Sequence, residues 1–342
     1  IHITQEMEQI LIKLGQAFRA NAYKKAATSL EKLETEITTP SDLDGIPNIG
    51  TGIKEKLTEY MQTGKIQYLE EMKNTPKIIF TNVYGIGPKK ADELEKSGLT
   101  SINELVNASY NDSKLLNEKQ KIGLKYYKDI NERIPRSEIT KFEEILTTQV
   151  TPDTKLQFEI VGSYRRGAKD SGDIDVIFTT TDPSQSAKQQ EDLFKNIIGK
   201  LAGNGNIRHI LAQGKTKCLV IGHIPPSVLH RRIDFLYTPP EQYAFAILYF
   251  TGSKHFNTAM RGLALKNGLS LNEHAFTVAK TGKPLSSLDP NASFKTELDI
   301  FNYLDMEYKE PQARIDDKSV VIKGKVQAAP QAQAAPQAQA AP

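Results

Sequence analysis

The sequence predicts an α+β multidomain fold, in which a helical first third is followed by a sheet flanked by helical subdomains. Apolar residues recur at helical spacing across residues 4–37. Short runs rich in β-branched and aromatic residues appear only after residue 156. With 342 residues and 39% hydrophobic content, the chain can form roughly two to four compact units.

Composition narrows the classes of protein to be considered. The single cysteine, Cys218, excludes a disulfide within the chain. No apolar run is long enough to span a bilayer and no secretory leader opens the sequence, so we expect a protein that is neither secreted nor membrane-bound. A net charge of +3 gives weak support for a polyanionic partner, and any such site must come from local placement of charge.

The first helical segment covers residues 4–37. Its spacing predicts that the apolar side chains of one face form a small core. The predicted core positions are Ile10, Leu11, Leu14, Ala17, Phe18, Tyr23, Ala26, Ala27 and Leu30.

An internal repeat follows this segment. The stretches “IPNIGTGIKEKL” (46–57) and “VYGIGPKKADEL” (83–94) each place an apolar residue and a tight turn, ending at Gly50 or Gly87, ahead of a helix. Two helix-hairpin-helix units are predicted, whose outward amides can hold a phosphate and whose carbonyls can hold a monovalent cation. An ordinary helix corner is the alternative for one copy. The lysines that follow both turns favour phosphate binding; they are Lys54, Lys56, Lys89 and Lys90.

Four strand-like runs form the predicted sheet: “QFEIVGSY”, “DIDVIFTT”, “KCLVIGHI” and “RRIDFLYT”. The stretch “QYAFAILYFTGS” returns to helix. The final “QAAPQAQAAPQAQAAP” repeats short polar units without a large apolar side chain, so a disordered or extended tail is predicted.

Three aspartates on these strands indicate metal chemistry. Asp173 and Asp175 are two residues apart and share one strand face, with Ile174 on the buried face. Asp234 lies in a second strand. Three such carboxylates can hold two Mg²⁺ ions about 3.5–4 Å apart, which activate a hydroxyl and neutralise a leaving phosphate. The preceding glycine- and arginine-rich turn can cradle a triphosphate.

The stretch “VGSYRRG” with “SGDIDV” resembles the nucleotidyltransferase signature of the family X DNA polymerases. The similarity runs from about residue 4 to residue 313. The other matching stretches are “ANAYKKAA” (20–27), the two hairpins, “KIGLKYYKDINERIPR” (121–136), “HRRIDFLYTP” (230–239) and “LYFTGSKHFNTAMR” (248–261).

The resemblance implies a division into five parts. These are a helical lyase domain with the first hairpin (1–72), a DNA-binding subdomain with the second (73–135), a catalytic palm with a nucleotidyltransferase-type sheet (136–240), a nascent base-pair-binding subdomain (241–315) and a tail, expected to be disordered (316–342).

The resemblance also implies roles for individual residues. The catalytic metal ligands would be Asp173, Asp175 and Asp234, with Asp234 nearest the primer 3′-hydroxyl. The nucleotide would be bound by Arg133, Ser163, Arg166, Ser171, Gly172, Tyr249, Phe250, Gly252, Lys254, Asn257 and Arg261. DNA would be bound by Arg19, Tyr23, Lys25, Gly50, Lys54, Gly85, Gly87, Lys89, Lys90 and Arg232. Backbone carbonyls of Ile46, Ile49, Thr81, Val83 and Ile86 would hold Na⁺ or K⁺.

The lyase half departs from the family pattern. Lys56 occupies the position of the Schiff-base lysine, where Lys54 and the helix N-terminus favour a neutral amine. Phe18 replaces a histidine, and Gly52 and Tyr68 replace lysines, so contacts to a 5′-phosphate are lost. Arg19 replaces a lysine and keeps the charge. Lys254 stands where the family has an aspartate.

The expected activity is templated, gap-filling DNA synthesis with a 5′-deoxyribose phosphate lyase in base excision repair. Expected cofactors are two Mg²⁺ ions, replaceable by Mn²⁺, and expected partners are gapped or nicked DNA, dNTPs and other repair proteins such as a ligase. We expect a monomer in the nucleus or in the DNA-containing compartment of a virus-infected cell. A template-independent nucleotidyltransferase and a non-catalytic DNA-binding scaffold remain alternatives.

Overall fold

A computed structural model describes residues 2–31, 33, 37–150, 156–182 and 184–324. The mixture of helices and sheet confirms the predicted α+β fold. Within these residues the N-terminal helices are α1 His2–Lys13, α2 Ala17–Glu31, α3 Thr51–Thr63 and α4 Gln67–Lys73. The next group is α5 Pro76–Thr81, α6 Pro88–Lys96, α7 Ile102–Asn111, α8 Glu118–Lys125 and α9 Tyr127–Asn131.

The remaining elements build a sheet and a C-terminal helical part. The sheet part contains β1 Ile134–Pro135, α10 Arg136–Val150, β2 Leu156–Ile160, α11 Gly162–Arg165, β3 Asp170–Ser171, β4 Ile174–Thr180, α12 Ala187–Gly203, β5 Ile207–Gln213, β6 Lys217–His223 and β7 His230–Tyr237. The C-terminal part contains α13 Tyr243–Thr251, α14 Lys254–Lys266, β8 Leu269–Leu271, β9 Phe276–Val278 and α15 Glu297–Tyr303. No helix among the described residues is long and apolar enough to cross a bilayer.

The predicted N-terminal helical segment is two helices. Gly15, at a φ of 77°, turns the chain between α1 and α2, and this left-handed conformation suits glycine. The prediction that Phe18 and Ala17 are core residues is wrong. Both are exposed, Phe18 by 90%, because the turn restarts the helical phase and points the first residues of α2 outward.

The two hairpins have the same backbone geometry. Gly50 and Gly87 both precede a helix in extended conformation, with φ and ψ of −79° and 172° and of −89° and 175°. Two residues earlier, Asn48 and Gly85 both take positive φ, at 65° and 88°. The two copies therefore form equivalent turns, with asparagine filling the left-handed position in the first.

The main sheet has five strands in the order β2-β4-β7-β6-β5, and β4 and β7 are its parallel pair. Four of these strands were predicted. The sequence reasoning missed β5, “IRHILAQ”, whose pairing with β6 shifts register twice. Its exposed positions mix polar and apolar residues, among them Arg208 and Ile210, so it lacks a regular alternation of apolar and polar residues. Helices α10 and α12 pack on the apolar face, around Phe142, Phe178 and Phe194.

The C-terminal part has its own core, which includes Phe256, Phe276 and Phe301. The chain then returns to this core. The Glu307 amide donates to the Val321 carbonyl at 2.8 Å, and Val320 packs on the cluster. The expectation of disorder is therefore wrong for residues 316–324, while residues 325–342 lie outside the described part.

Candidate functional site

The strongest candidate site lies on the polar face of the sheet, where β4 and β7 run side by side. In their parallel register Asp175 pairs with Asp234. The flanking Ile174 and Ile233 point to the opposite face and are fully buried. The alternation of the two strands therefore brings two of the predicted carboxylates together, and Asp173 precedes β4 by one residue.

Burial sets the electrostatics of this acid pair. It raises the pKa of Asp175 to about 6, with the nearby Asp234 carboxylate adding to the effect. Burial also raises the pKa of Asp234, although the Arg232 guanidinium acts in the opposite direction. The two carboxylates therefore carry unfavourable negative charge that a cation would relieve.

Arg232 supplies the positive charge of this site. It forms an ion pair with Asp173, and its Nε lies 3.7 Å from Asp234 Oδ1. No group of three acidic, histidine or cysteine side chains in the described residues is arranged to hold a metal ion. Asp234 Oδ1 is nevertheless buried without a hydrogen-bond donor among the described residues. This oxygen and the neighbouring Asp175 carboxylate are hard oxygen ligands of the kind that a divalent cation prefers.

The glycine-serine turn packs directly against the acid pair. The Val161 amide donates to the Asp175 carbonyl at 2.9 Å. A Cβ on Gly162 would lie 3.0 Å from Asp175 Oδ2, and Gly162 has a φ of 64°. Both observations favour glycine here. The hydroxyls of Ser163 and Ser171 lie 2.7 Å apart.

Two arginines flank this turn. Arg133 Nε donates to Asp170 Oδ1 at 2.8 Å, and a Cβ on Gly172 would lie 3.3 Å from Arg133 Nη1. Arg166 donates from Nη1 to the carbonyl of Thr251 at 2.6 Å. The predicted phosphate-binding side chains thus surround one turn, and hydrogen bonds already orient both guanidinium groups.

The C-terminal end of α13 forms a wall beside this turn. Tyr249 and Phe250 contact edge to face, with ring centroids 5.1 Å apart. Gly252 follows at a φ of 71°. Asn257 Nδ2 donates to the Tyr249 carbonyl at 2.6 Å, and Tyr249, Asn257 and Arg261 line one narrow cavity. These three predicted nucleotide contacts are therefore neighbours.

Lys254 begins α14 and is not among the residues that line this cavity. Its side chain is 64% exposed, and its Nζ lies 4.0 Å from Oε1 of Glu8 in α1. Its contact with a nucleotide stays a prediction.

One residue at the acid site was missed by sequence reasoning. Lys217 lines a cleft together with Asp175, Asp234 and Phe250. In the pairing of β6 with β7, Lys217 is opposite Leu236, and Leu236 is two residues after Asp234 on β7. Strand alternation from Asp234 across this pair would have placed Lys217 on the polar face.

A second candidate site lies in the N-terminal helices. Lys56 Nζ donates to Glu59 Oε2 at 2.9 Å. The Arg19 guanidinium lies over the ring of Tyr68, 5.5 Å from its centroid, and Tyr23 is buried next to them. Arg19 and Tyr23 therefore come together as predicted for a phosphate pocket, with Tyr68 as a third member. Lys25 is exposed.

The hairpins present open backbone at the start of α3 and α6. A Cβ on Gly50, Gly52 or Gly87 would meet no atom within 4 Å. Lys54 is paired with Asp44, and Lys90 lies 3.4 Å from Glu93, whereas Lys89 is exposed. The turn carbonyls of Ile46 and Val83 accept from the amides of Ile49 and Ile86.

Comparison with known proteins matches four parts of the chain to models of known domain families. Residues 1–66 match the family model described as helix-hairpin-helix domain, and residues 78–131 match the fingers domain of DNA polymerase lambda. Residues 133–240 match the DNA polymerase beta palm, and residues 246–315 match the DNA polymerase beta thumb. DNA polymerase lambda of Rattus norvegicus is 30% identical over 335 residues. The DNA polymerase type-X family protein pol4 of Schizosaccharomyces pombe is 26% identical over 315 residues. The chain belongs to family X of the DNA polymerases.

The similarity covers nearly all of this family X chain. It extends over 92% of the chain for the rat protein and 88% for DNA polymerase lambda of Arabidopsis thaliana, which is 30% identical. The chain spans little more than half the length of these relatives, 56% and 59%. In the terms of the matching models, the acid pair lies in the palm and the Tyr249 wall in the thumb.

Proposed function

We propose that this family X chain is a template-directed, gap-filling DNA polymerase that acts in base excision repair. The observation that carries the proposal is the register of β4 and β7, which sets Asp175 beside Asp234 beneath a glycine-serine turn and an aromatic wall. We keep the predicted boundaries 1–72, 73–135, 136–240 and 241–315 as the proposed domains.

The acid site is proposed to bind two Mg²⁺ ions, for which Mn²⁺ can substitute. Asp173, Asp175 and Asp234 would hold them, and Arg232 would give up its contact with Asp173. Bound divalent ions lower the pKa of the primer 3′-hydroxyl and neutralise charge on the leaving pyrophosphate.

The surrounding residues bind and orient the substrates. Arg133, Arg166, Ser163 and the backbone of Gly172 would contact the triphosphate of a dNTP. Gly252 allows the backbone at the end of α13 to approach the sugar closely. Asn257 and Arg261 line the adjacent cavity and would test the shape of the new base pair.

The N-terminal helices and hairpins are proposed to hold the ends of gapped or nicked DNA. The open amides of both hairpins would contact phosphates, with Na⁺ or K⁺ bound by their carbonyls. Lys56 would form a Schiff base with a 5′-deoxyribose phosphate, and Arg19 and Tyr23 would bind its phosphate. The protein would act as a monomer in DNA repair, together with a ligase. It would do so in the nucleus or in the DNA-containing compartment of a virus-infected cell.

Primer extension tests the polymerase proposal. The chain should extend a primer across a single-nucleotide gap with a 5′-phosphate faster than an open primer-template, with the nucleotide complementary to the template and only with Mg²⁺ or Mn²⁺. Equal incorporation without template would favour the template-independent alternative. Absence of any metal-dependent incorporation would favour the scaffold.

A further inference from the structure

Lys56 and Glu59 form a half-buried pair on α3. Glu59 Oε2 accepts the hydrogen bond from Lys56 Nζ at 2.9 Å, and Glu59 Oε1 accepts one from the Gln67 amide at 2.6 Å. The two side chains are 34% and 27% exposed. The carboxylate is therefore fixed at both oxygens while one edge of the pair stays open to solvent.

Glu59 also connects the lysine to the proposed phosphate pocket. Gln67 is the first residue of α4, and the next residue, Tyr68, carries the Arg19 guanidinium over its ring. The charge of Arg19 and the proximity of Tyr68 both affect the pKa of the buried Tyr23, which burial raises. Glu59 is thus hydrogen-bonded on one side to the proposed nucleophile and on the other to the residue that precedes Tyr68.

The lyase reaction needs a base as well as a nucleophile. Once the amine has condensed with the C1′ aldehyde and released water, a proton must leave C2′, two bonds from the iminium nitrogen. A general base must lie within hydrogen-bond reach of that region. The Glu59 carboxylate is hydrogen-bonded to the lysine nitrogen, so it lies within reach of a carbon two bonds from that nitrogen.

We propose that Glu59 is the general base of the β-elimination, an inference that rests on the lyase part of the proposed function. Glu59 Oε2 takes the C2′ proton, and the C–H electron pair passes through the C1′–C2′ enamine. The C2′=C3′ double bond then forms as the C3′–O bond breaks, and the downstream strand leaves with its 5′-phosphate. Water hydrolyses the unsaturated iminium and returns the amine of Lys56, and Glu59 releases its proton to solvent.

The neighbouring carboxylates are less well placed. Glu55 is adjacent to Lys56 in sequence and exposed, and side chains at successive helix positions do not face each other. Asp44 is engaged with Lys54. The hydrogen bond from the Gln67 amide, followed by that from Lys56, lowers the pKa of Glu59, so this carboxylate is in its proton-accepting form at neutral pH.

The test separates Schiff-base formation from elimination. Glu59→Gln keeps an oxygen acceptor for the Gln67 amide, and Glu55→Gln is the matched control. Single-turnover reactions on incised abasic DNA would measure borohydride-trapped adduct and release of the unsaturated sugar, and thermal melting would check the fold. Lys56→Ala reports on the proposed lyase site itself.

We expect Glu59→Gln to form the trapped adduct while elimination slows about 100-fold or more, the effect of losing a general base. Glu55→Gln should resemble wild type. Elimination within about threefold of wild type, or a parallel loss of trapping and elimination, would overturn the role of Glu59. If the wild-type chain traps nothing, or if Lys56→Ala traps as well as wild type, the proposed lyase site fails, and the inference fails with it.

Discussion

At the scale of single residues, the acid site is built from charges that the fold does not fully compensate. Asp175 and Asp234 are paired neighbours on adjacent parallel strands, and Arg232 forms ion pairs with both Asp173 and Asp234. The sequence could predict which aspartates share a face, because strand alternation is simple. It could not predict that Arg232 would occupy the centre of the group, since that depends on side-chain rotamers.

Replacement of Asp234 tests the assignment of the acid site. Asp234→Ala should abolish nucleotide addition, because a ligand for the ion that activates the 3′-hydroxyl is lost. Binding of gapped DNA should change by no more than a few fold, since affinity comes mainly from phosphate contacts elsewhere. Incorporation and equilibrium binding on the same gapped DNA measure the two effects. Incorporation at about a tenth of wild type or better would contradict the assignment.

The raised pKa of Asp175 predicts a stability change with a defined sign. Folding moves this pKa from 3.8 to about 6. The contribution of protonated Asp175 to the free energy of unfolding is therefore complete below pH 4 and is lost as pH rises through 6. Asp175→Asn should therefore raise the free energy of unfolding at pH 7.5, by at most about 3 kcal/mol. Denaturant melts at pH 7.5 and pH 4 measure this, and the gain should vanish at pH 4. An equal gain at both pH values would show that ionisation is not the cause.

At the scale of elements, the regular patterns were predictable and the irregular ones were not. The hairpins were found because a glycine at the helix start and an apolar residue before it recur in both copies. Strand β5 was missed because its register shifts interrupt the alternation on which prediction depends. Phe18 was misplaced because one left-handed glycine, Gly15, changed the helical phase.

A buried ion network joins palm and thumb and was also invisible in the sequence. Glu297 on α15 accepts from Arg314 Nη1 at 2.5 Å and from Arg165 Nη2 at 2.8 Å. Arg165 also donates to the Thr251 hydroxyl at the end of α13. The network therefore links the turn beside the acid pair to the wall beside the proposed nucleotide site.

Removal of Glu297 should destabilise this junction. Burial alone would raise the pKa of Glu297, but hydrogen bonds from Arg314 and Arg165 outweigh it and the pKa is lowered. Glu297→Ala leaves the fully buried Arg314 uncompensated and should cost about 3–5 kcal/mol of unfolding free energy at pH 7. The difference should shrink as acid protonates Glu297 in the wild type.

Denaturant unfolding measures this cost. The control is Glu307→Ala, which breaks an exposed pair with Lys309 and should cost no more than about 1 kcal/mol. Equal effects of the two substitutions would mean that the buried network adds nothing beyond a surface ion pair.

At the scale of the whole molecule, the first and last thirds of the chain meet. Gln5 Nε2 and His255 Nε2 lie 2.8 Å apart, across 250 residues of sequence. Glu8 lies 4.0 Å from Lys254. Helix α1 thus contacts the start of α14, the helix that carries Asn257 and Arg261. The helices proposed to hold the 5′ end of a gap are therefore in contact with the helix proposed to face the new base pair.

This contact predicts how the protein selects gapped DNA. If α1 transmits binding of the 5′ end to α14, the double variant Gln5→Ala, Glu8→Ala should lose about fivefold of its preference for a single-nucleotide gap with a 5′-phosphate over an open primer-template. That loss corresponds to about 1 kcal/mol, the value of one or two polar contacts. Extension of the open substrate should be unchanged, because no downstream end engages the N-terminal helices. The measurement is the ratio of single-turnover rates on the two substrates, with the exposed Gln9→Ala on the same helix as control. A ratio that stays at the wild-type value in the double variant would mean that the contact between α1 and α14 plays no part in gap recognition, and that selection comes from the N-terminal phosphate contacts alone.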